Sequence, residues 1–381
     1  MTAQPLRLYL DTSDYGTLFN GADDGPAHDV LKQLLQFRDR GAIVIGYSWV
    51  IMLEFITRPI EKYRKERVRR GQLVKGICGS NAFPFISDLK NGARFPNHGI
   101  WIPDDSKVIT AKQARLQLKR SLEELDKQPE VRHILNRAER RKLGTKSGKN
   151  ELLRNARLTK SKIREILKDI PVSDELIESE ILMRFVKGRC SDAEFEERMN
   201  RWLSDPAEFS QIVYDYADMP NLIDKFFGPG IAQTENLFRQ LQEAFRVLAE
   251  WNETSLDLRQ ILIDAGVDKR EARQRTPQFP VKTPDLDLSD LVQKAEEQFG
   301  KGRADHIAHY IRKAVQKGYS FKNSDAMDIM QMVYVPDCDL FRCDKAMASL
   351  YRDYDPFKGK LVPKFTDLPQ RIEERLRSRT K

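Results

Sequence analysis

Five carboxylates stand out for their chemical context: Asp11, Glu54, Asp325, Asp328 and Asp344. Asp11 ends an apolar, alternating run, LRLYLD, that reads as a strand passing into a polar turn. Glu54 falls about two turns into a helix and is flanked by Ile51, Met52, Leu53 and Phe55, an awkward setting for a solvated acid. Asp325 and Asp328 open a helix after Ser324 and, three apart, share one face. Asp344 comes just past a second short strand, DLFRC. In a parallel α/β sheet, side chains at the carboxyl ends of strands converge on one edge, where ligands bind. Carboxylates gathered there repel: at about 5 Å and an effective dielectric near 20, each pair costs on the order of 3 kcal/mol. Such a cluster calls for protons or cations, and hard oxygen donors without His or Cys suit Mg²⁺ or Mn²⁺. The matching chemistry is phosphodiester hydrolysis, in which metal activates a water and stabilises charge on the attacked phosphate, with no Ser, Cys or His nucleophile.

The elements needed to position these acids can be read at both ends of the chain. After LRLYLD, the segment His28 to Arg40 carries apolar residues at helical spacing and Gly41 breaks it. Ala42 to Tyr47, AIVIGY, is a continuous β-prone run of the kind buried in a parallel sheet. Ser48 can cap a helix over WVIMLEFITR. Near the other end, Ser324 caps a helix through DAMDIMQMVYV, DLFRC is a strand, KAMASLYRD a helix, KLVPKF a further strand and TDLPQRIEERLRSR a capped helix. Alternation of strand and helix in both stretches predicts a doubly wound α/β unit.

The middle of the chain, 61–299, differs in kind: it is mostly polar helical pattern with few strand signals. Between Ala111 and Ile170 there are 18 Lys and Arg against 8 Asp and Glu, so this stretch carries more than the whole formal net charge of +8. That excess favours a polyanionic partner, and RAERRKLGTKSGKN, with Arg137, Arg140, Arg141, Lys142, Lys146 and Lys149, is its densest part and a candidate nucleic-acid-binding segment. Cys78, Cys190, Cys338 and Cys343 show neither a CxxC pair nor zinc-finger spacing and read as free thiols of a reducing, cytoplasmic compartment. No apolar run is long enough for a signal core or a membrane span, so no membrane partner is expected.

LYLDTS (Leu8 to Ser13), the Glu54 helix and SDAMDIMQMVYVPDCDLFRCDKAMASLY (Ser324 to Tyr351) together resemble the PIN domain. That family's order is a strand ending in Asp followed by Thr or Ser, a helical Glu, a helical Asp, then a strand and another Asp some eighteen residues on; Asp325 and Asp344 are 19 apart. The resemblance implies a Rossmann-like α/β nuclease domain with a small central parallel sheet, formed by 1–60 and 300–381. A mostly α-helical, partly basic insertion, 61–299, would separate the two parts, a large departure from the family's usual compactness. It further implies Mg²⁺ or Mn²⁺ held by acidic residues, and RNA ahead of DNA as substrate. Carried over, Asp11, Glu54, Asp325 and Asp344 form the acid quartet, Ser13 is the polar residue beside the first Asp, and Asp328 replaces or assists Asp325. The expectation is a metal-dependent endoribonuclease, with a toxin- or defence-like role in keeping with the family's habit. A structure-specific DNA nuclease and a non-catalytic nucleic-acid-binding module on the same scaffold are the alternatives. A regulatory or inhibitory protein and a second copy of the chain are further candidate partners.

Each acid also has a plainer role open to it. Asp11 and Asp344 could cap whatever follows their strands, and Asp325 could be a first-turn acid on a helix dipole. Asp337 and Asp339 read as loop and strand-edge residues, and His306 and His309, at i, i+3 in DHIAHY, form a weak second metal motif.

Overall fold

The computed structural model describes residues 4–21, 25–56, 64–96, 180–215, 257–275, 289–317 and 323–379, with isolated positions between 111 and 151 and at 239. Its helices run, in chain order, α1 (Thr12–Asn20), α2 (Pro26–Asp39), α3 (Trp49–Ile56), α4 (Arg64–Cys78), α5 (Ile86–Leu89), α6 (Glu180–Val186), α7 (Asp192–Leu203) and α8 (Pro206–Asp215). They continue with α9 (Lys269–Arg275), α10 (Ser289–Phe299), α11 (Asp305–Gln316), α12 (Asn323–Met332), α13 (Lys345–Leu350) and α14 (Leu368–Arg379). The chain divides into two compact units, Met1–Thr57 with Gly76–Trp101 and Ile231–Lys381, and Arg58–Lys75 with Ile102–Gly230.

The first unit holds the sheet. Strands β1 (Leu6–Tyr9), β2 (Ile43–Gly46), β3 (Leu340–Arg342) and β4 (Leu361–Val362) lie in the order β2-β1-β3-β4 among the described residues. All pairings are parallel; Leu8 faces Ile45 on one side and Leu340 on the other. Leu6, Leu8 and Tyr9 of β1, with Ile43 and Ile45 of β2, are buried, while Arg7 is half-buried. The strand path leaves β1 for β2 on one side and resumes at β3 on the other. The β1/β3 boundary is therefore the point where the strand order reverses, and a crevice opens at the carboxyl edge of such a point.

Local chemistry accounts for the boundaries. Pro26 sits in the first turn of α2, where its missing N–H costs nothing. Val30, Leu34 and Phe37 form the buried stripe of that helix. Gly41, at φ 72°, supplies the left-handed turn that returns the chain to β2. Ser48 shares a 2.7 Å hydroxyl hydrogen bond with buried Tyr9, which ties the start of α3 to β1. An aromatic cluster fills the core: Tyr9 stacks on Phe341 at 4.5 Å between centroids, and Phe83 meets Phe95 at 4.0 Å. Gly46 lies under that second pair, where a Cβ would come within 2.3 Å of Phe95.

Several boundaries differ from the sequence expectation. The strand anticipated over KLVPKF reduces to Leu361–Val362, because Pro363 has no N–H to continue a ladder. The helix anticipated from Ser324 to Val335 begins at Asn323 and ends at Met332, and a 3₁₀ turn at Val335–Asp337 follows, with Pro336 inside it.

Within the second unit, Phe185 of α6 stacks on Phe195 of α7 at 3.8 Å, and Arg115 lies 4.7 Å over the Phe185 ring. Lys75 pairs with Asp205 at 2.7 Å. Among the described residues no helix is long and apolar enough to cross a membrane. The four cysteines are free and buried.

Candidate functional site

β1 and β3 are adjacent and parallel, and each leads through a short turn into an acid that begins a helix. Asp11 occupies the N-cap of α1 and Asp344 the N-cap of α13. The Asp344 carboxylate accepts the Met347 amide at 2.6 Å, so the capping role and a place at the sheet edge coexist. Ser13 donates its hydroxyl to the Asp11 carboxylate.

From the other side of β1, α3 carries Glu54. Its carboxylate accepts the Thr12 hydroxyl and, at 2.9 Å, the side-chain amide of Gln331. Gln331 also reaches the Thr12 hydroxyl at 3.3 Å. Buried Gln331 thus joins α12 to α1 and α3 around one oxygen of Glu54, and explains how an acid is tolerated amid apolar neighbours.

α12 supplies Asp325, which is buried, and Asp328, which is partly so. Burial is the main cause that raises the Asp328 carboxyl to about 8, followed by the charges of Asp11, Glu54, Asp344 and Asp325. All five sequence-selected carboxylates therefore stand close enough for the other four to act on Asp328. The neighbouring Cys343 thiol is pushed upward by burial, against the nearby Arg342 cation, and Asp344, Asp11 and Asp328 add to the rise. Among the described residues no group of three or more His, Cys, Asp and Glu side chains is gathered in metal-binding geometry.

Another acid lies just outside this set. Asp14 is 2% exposed, accepts the Asp11 amide at 3.1 Å and pairs with Arg342 at 3.1 Å. Burial pushes its carboxyl up to about 7, against the opposing pull of Arg342. Asp14, Arg342, Thr12 and Gln331 were not singled out from sequence. The visible signal for Gln331 is its place one turn beyond Asp328, continuing the Asp325, Asp328 spacing.

The remaining candidates are placed elsewhere. Asp337 forms a two-pronged ion pair with Arg303, at 2.7 and 3.2 Å, and Asp339 pairs with Arg7 and Arg379. The imidazole nitrogens of His306 face the carbonyls of Arg303 and Ile329, and His309 Nε2 faces that of Leu350. Both ring nitrogens of His306 and Nε2 of His309 are thus engaged by backbone carbonyls. In the basic segment Arg141 is exposed, whereas Arg137, Arg140, Lys142, Lys146 and Lys149 lie outside the described residues.

No protein-family model, curated protein or solved structure matches this chain.

Proposed function

We propose that this protein is a metal-dependent nuclease with a PIN-like domain, acting on RNA ahead of DNA. The observation that carries the reading is that Asp11 and Asp344 begin the helices after β1 and β3 at the switch point, within range, with Glu54 and Asp325, to act on Asp328. Their donor set is carboxylate oxygen alone, which matches Mg²⁺ or Mn²⁺. Asp11, Glu54, Asp325, Asp328 and Asp344 would hold the ion. Once bound, such an ion supplies an activated water and charge stabilisation at phosphorus. The chain's own part is positioning: α1 and α13 present Asp11 and Asp344 from their N-caps, and Thr12 with Gln331 fixes the Glu54 carboxylate. Asp328, raised to about 8, retains its proton at neutral pH until a cation offsets its neighbours.

One second reading, a non-catalytic nucleic-acid-binding module, is favoured by the excess of Lys and Arg between Ala111 and Ile170. Labelled RNA, single-stranded DNA and duplex DNA incubated with the protein in Mg²⁺, Mn²⁺ or EDTA decide between them. The nuclease reading expects metal-dependent cutting that is lost in an Asp11→Asn/Asp344→Asn double variant. Undiminished cutting by that variant removes the site assignment; tight, salt-sensitive binding with no cutting in any metal selects the second reading.

A further inference from the structure

One residue beyond Asp344 the character of the surface reverses. Lys345 begins the wall of a cavity of 420 Å³ formed between α13 and the chain around β4. Arg352 and Lys358 line it as well, and none of its lining residues is acidic. All three basic side chains are exposed, and none forms an ion pair with a carboxylate among the described residues. The neighbouring Asp353 pairs with Lys313 at 3.0 Å and feels Arg352 more weakly. A further cation, Lys317, is anchored on the cavity residue Ser349, donating to its carbonyl at 2.8 Å and its hydroxyl at 2.9 Å. The opposite character comes from Phe357, Leu361 and Pro363, which give the same cavity an apolar wall.

Three cations beside an apolar surface form an amphipathic site. Small-ligand sites commonly span about 300–1,000 Å³, mostly apolar with a few placed polar groups. Lysine and arginine recognise phosphate oxygens, and an aromatic or aliphatic wall accepts the face of a base. Because the wall starts at the residue after Asp344, a strand whose phosphate lay at the acid edge would have an adjoining nucleotide within reach of it.

We propose that this cavity binds one nucleotide of the substrate strand, with its phosphate on Lys345, Arg352 and Lys358 and its base or sugar against Phe357, Leu361 and Pro363. The proposal rests on the nucleic-acid reading above and assigns that reading a subsite outside the carboxylate cluster.

The test uses the full chain in EDTA, so that binding is read without cutting. Anisotropy of a labelled short RNA is followed over a salt series, with adenosine 5′-monophosphate and inorganic phosphate as competitors. An Arg352→Gln/Lys358→Gln variant replaces two exposed cations by neutral polar side chains. It should weaken RNA binding by about 10-fold and lower the salt slope by about 1.4, the share of two phosphate contacts on a single strand. Adenosine 5′-monophosphate should compete better than phosphate with the parent protein and lose that advantage in the variant. Unchanged affinity and slope, or phosphate competing as well as the nucleotide, would overturn the assignment. Cutting is measured separately in Mg²⁺ and Mn²⁺. Nucleotide binding that depends on Arg352 and Lys358 without any cutting upholds the cavity and defeats the nuclease; cutting with unaltered binding in the variant does the reverse.

Discussion

The two edges of the sheet use the same residue type in opposite ways. At the amino edge, Asp339 precedes β3, accepts the Arg7 amide at 2.8 Å and is held between the Arg7 and Arg379 guanidiniums. Asp337, a step earlier, is clasped by Arg303. At the carboxyl edge, the charges that act on Asp328 are those of four other acids. A carboxylate beside a guanidinium serves the fold; one pressed among other carboxylates works against it until something positive arrives. Asp14, paired with Arg342, marks the border between the two arrangements, since Arg342 closes β3 on the way to Asp344. The difference teaches that acid content alone says little about a site, whereas the sign of each acid's neighbours says a good deal.

Under the nuclease reading, the largest effect belongs to the carboxyl edge: Asp11→Asn or Asp344→Asn should lower the cleavage rate on the order of 10³-fold, the upper scale for losing one preorganised electrostatic group. Asn still caps a helix, so chemical denaturation should show the Asp344→Asn fold nearly unchanged. Next comes the border. Arg342→Met strands Asp14 in a buried site and should cost about 3–5 kcal/mol of folding stability, read from the shift of the urea midpoint. A loss below 1 kcal/mol would mean that Asp14 does not depend on its partner.

A titratable group away from both edges gives a reference. Burial lowers His306 to about 4 from 6.5, outweighing its two backbone hydrogen bonds. The folded state keeps the ring neutral while the unfolded chain protonates first. The stabilisation is therefore full above about pH 6.5 and drains away as pH falls towards 4, a total of about 3 kcal/mol. Unfolding measured at pH 7 and pH 4.5 should show this loss, and His306→Gln should flatten it; equal slopes in both proteins would disprove it. The smallest effect has the opposite sign. Asp328→Asn removes the need to protonate a buried carboxyl on folding and should raise stability at neutral pH by about 1–2 kcal/mol without added metal, while lowering cleavage. Destabilisation instead would place Asp328 with the paired acids of the amino edge.

Much of the frame was legible in the sequence because period and punctuation are local. LRLYL reads as a strand and AIVIG as a buried parallel one, and Gly41 marks the end of α2, whose start at Pro26 lies two residues ahead of the His28 expected. The carboxylates were legible for a related reason: an acid after a strand, or inside WVIMLEFI, is conspicuous against apolar neighbours. Thr12, Gln331 and Arg342 were not, because polar residues at ordinary helix and strand positions gain meaning only from what tertiary structure sets opposite them. Gln331 and Glu54 are 277 residues apart in sequence. The two-residue extent of β4 was overlooked because KLVPKF has strand composition, while one missing N–H at Pro363 ends the ladder.

The pairing of β1 with β3 bears on the order of synthesis. Asp11 and Glu54 leave the ribosome early, but Asp325, Asp328 and Asp344 follow only after nearly 300 further residues. At about 5–20 residues per second, that interval is roughly a quarter of a minute to a minute. During it β1 has no β3 to pair with, and the carboxylate edge is only half built. Any activity that depends on that edge is therefore withheld from the nascent chain until β3 and α13 have emerged.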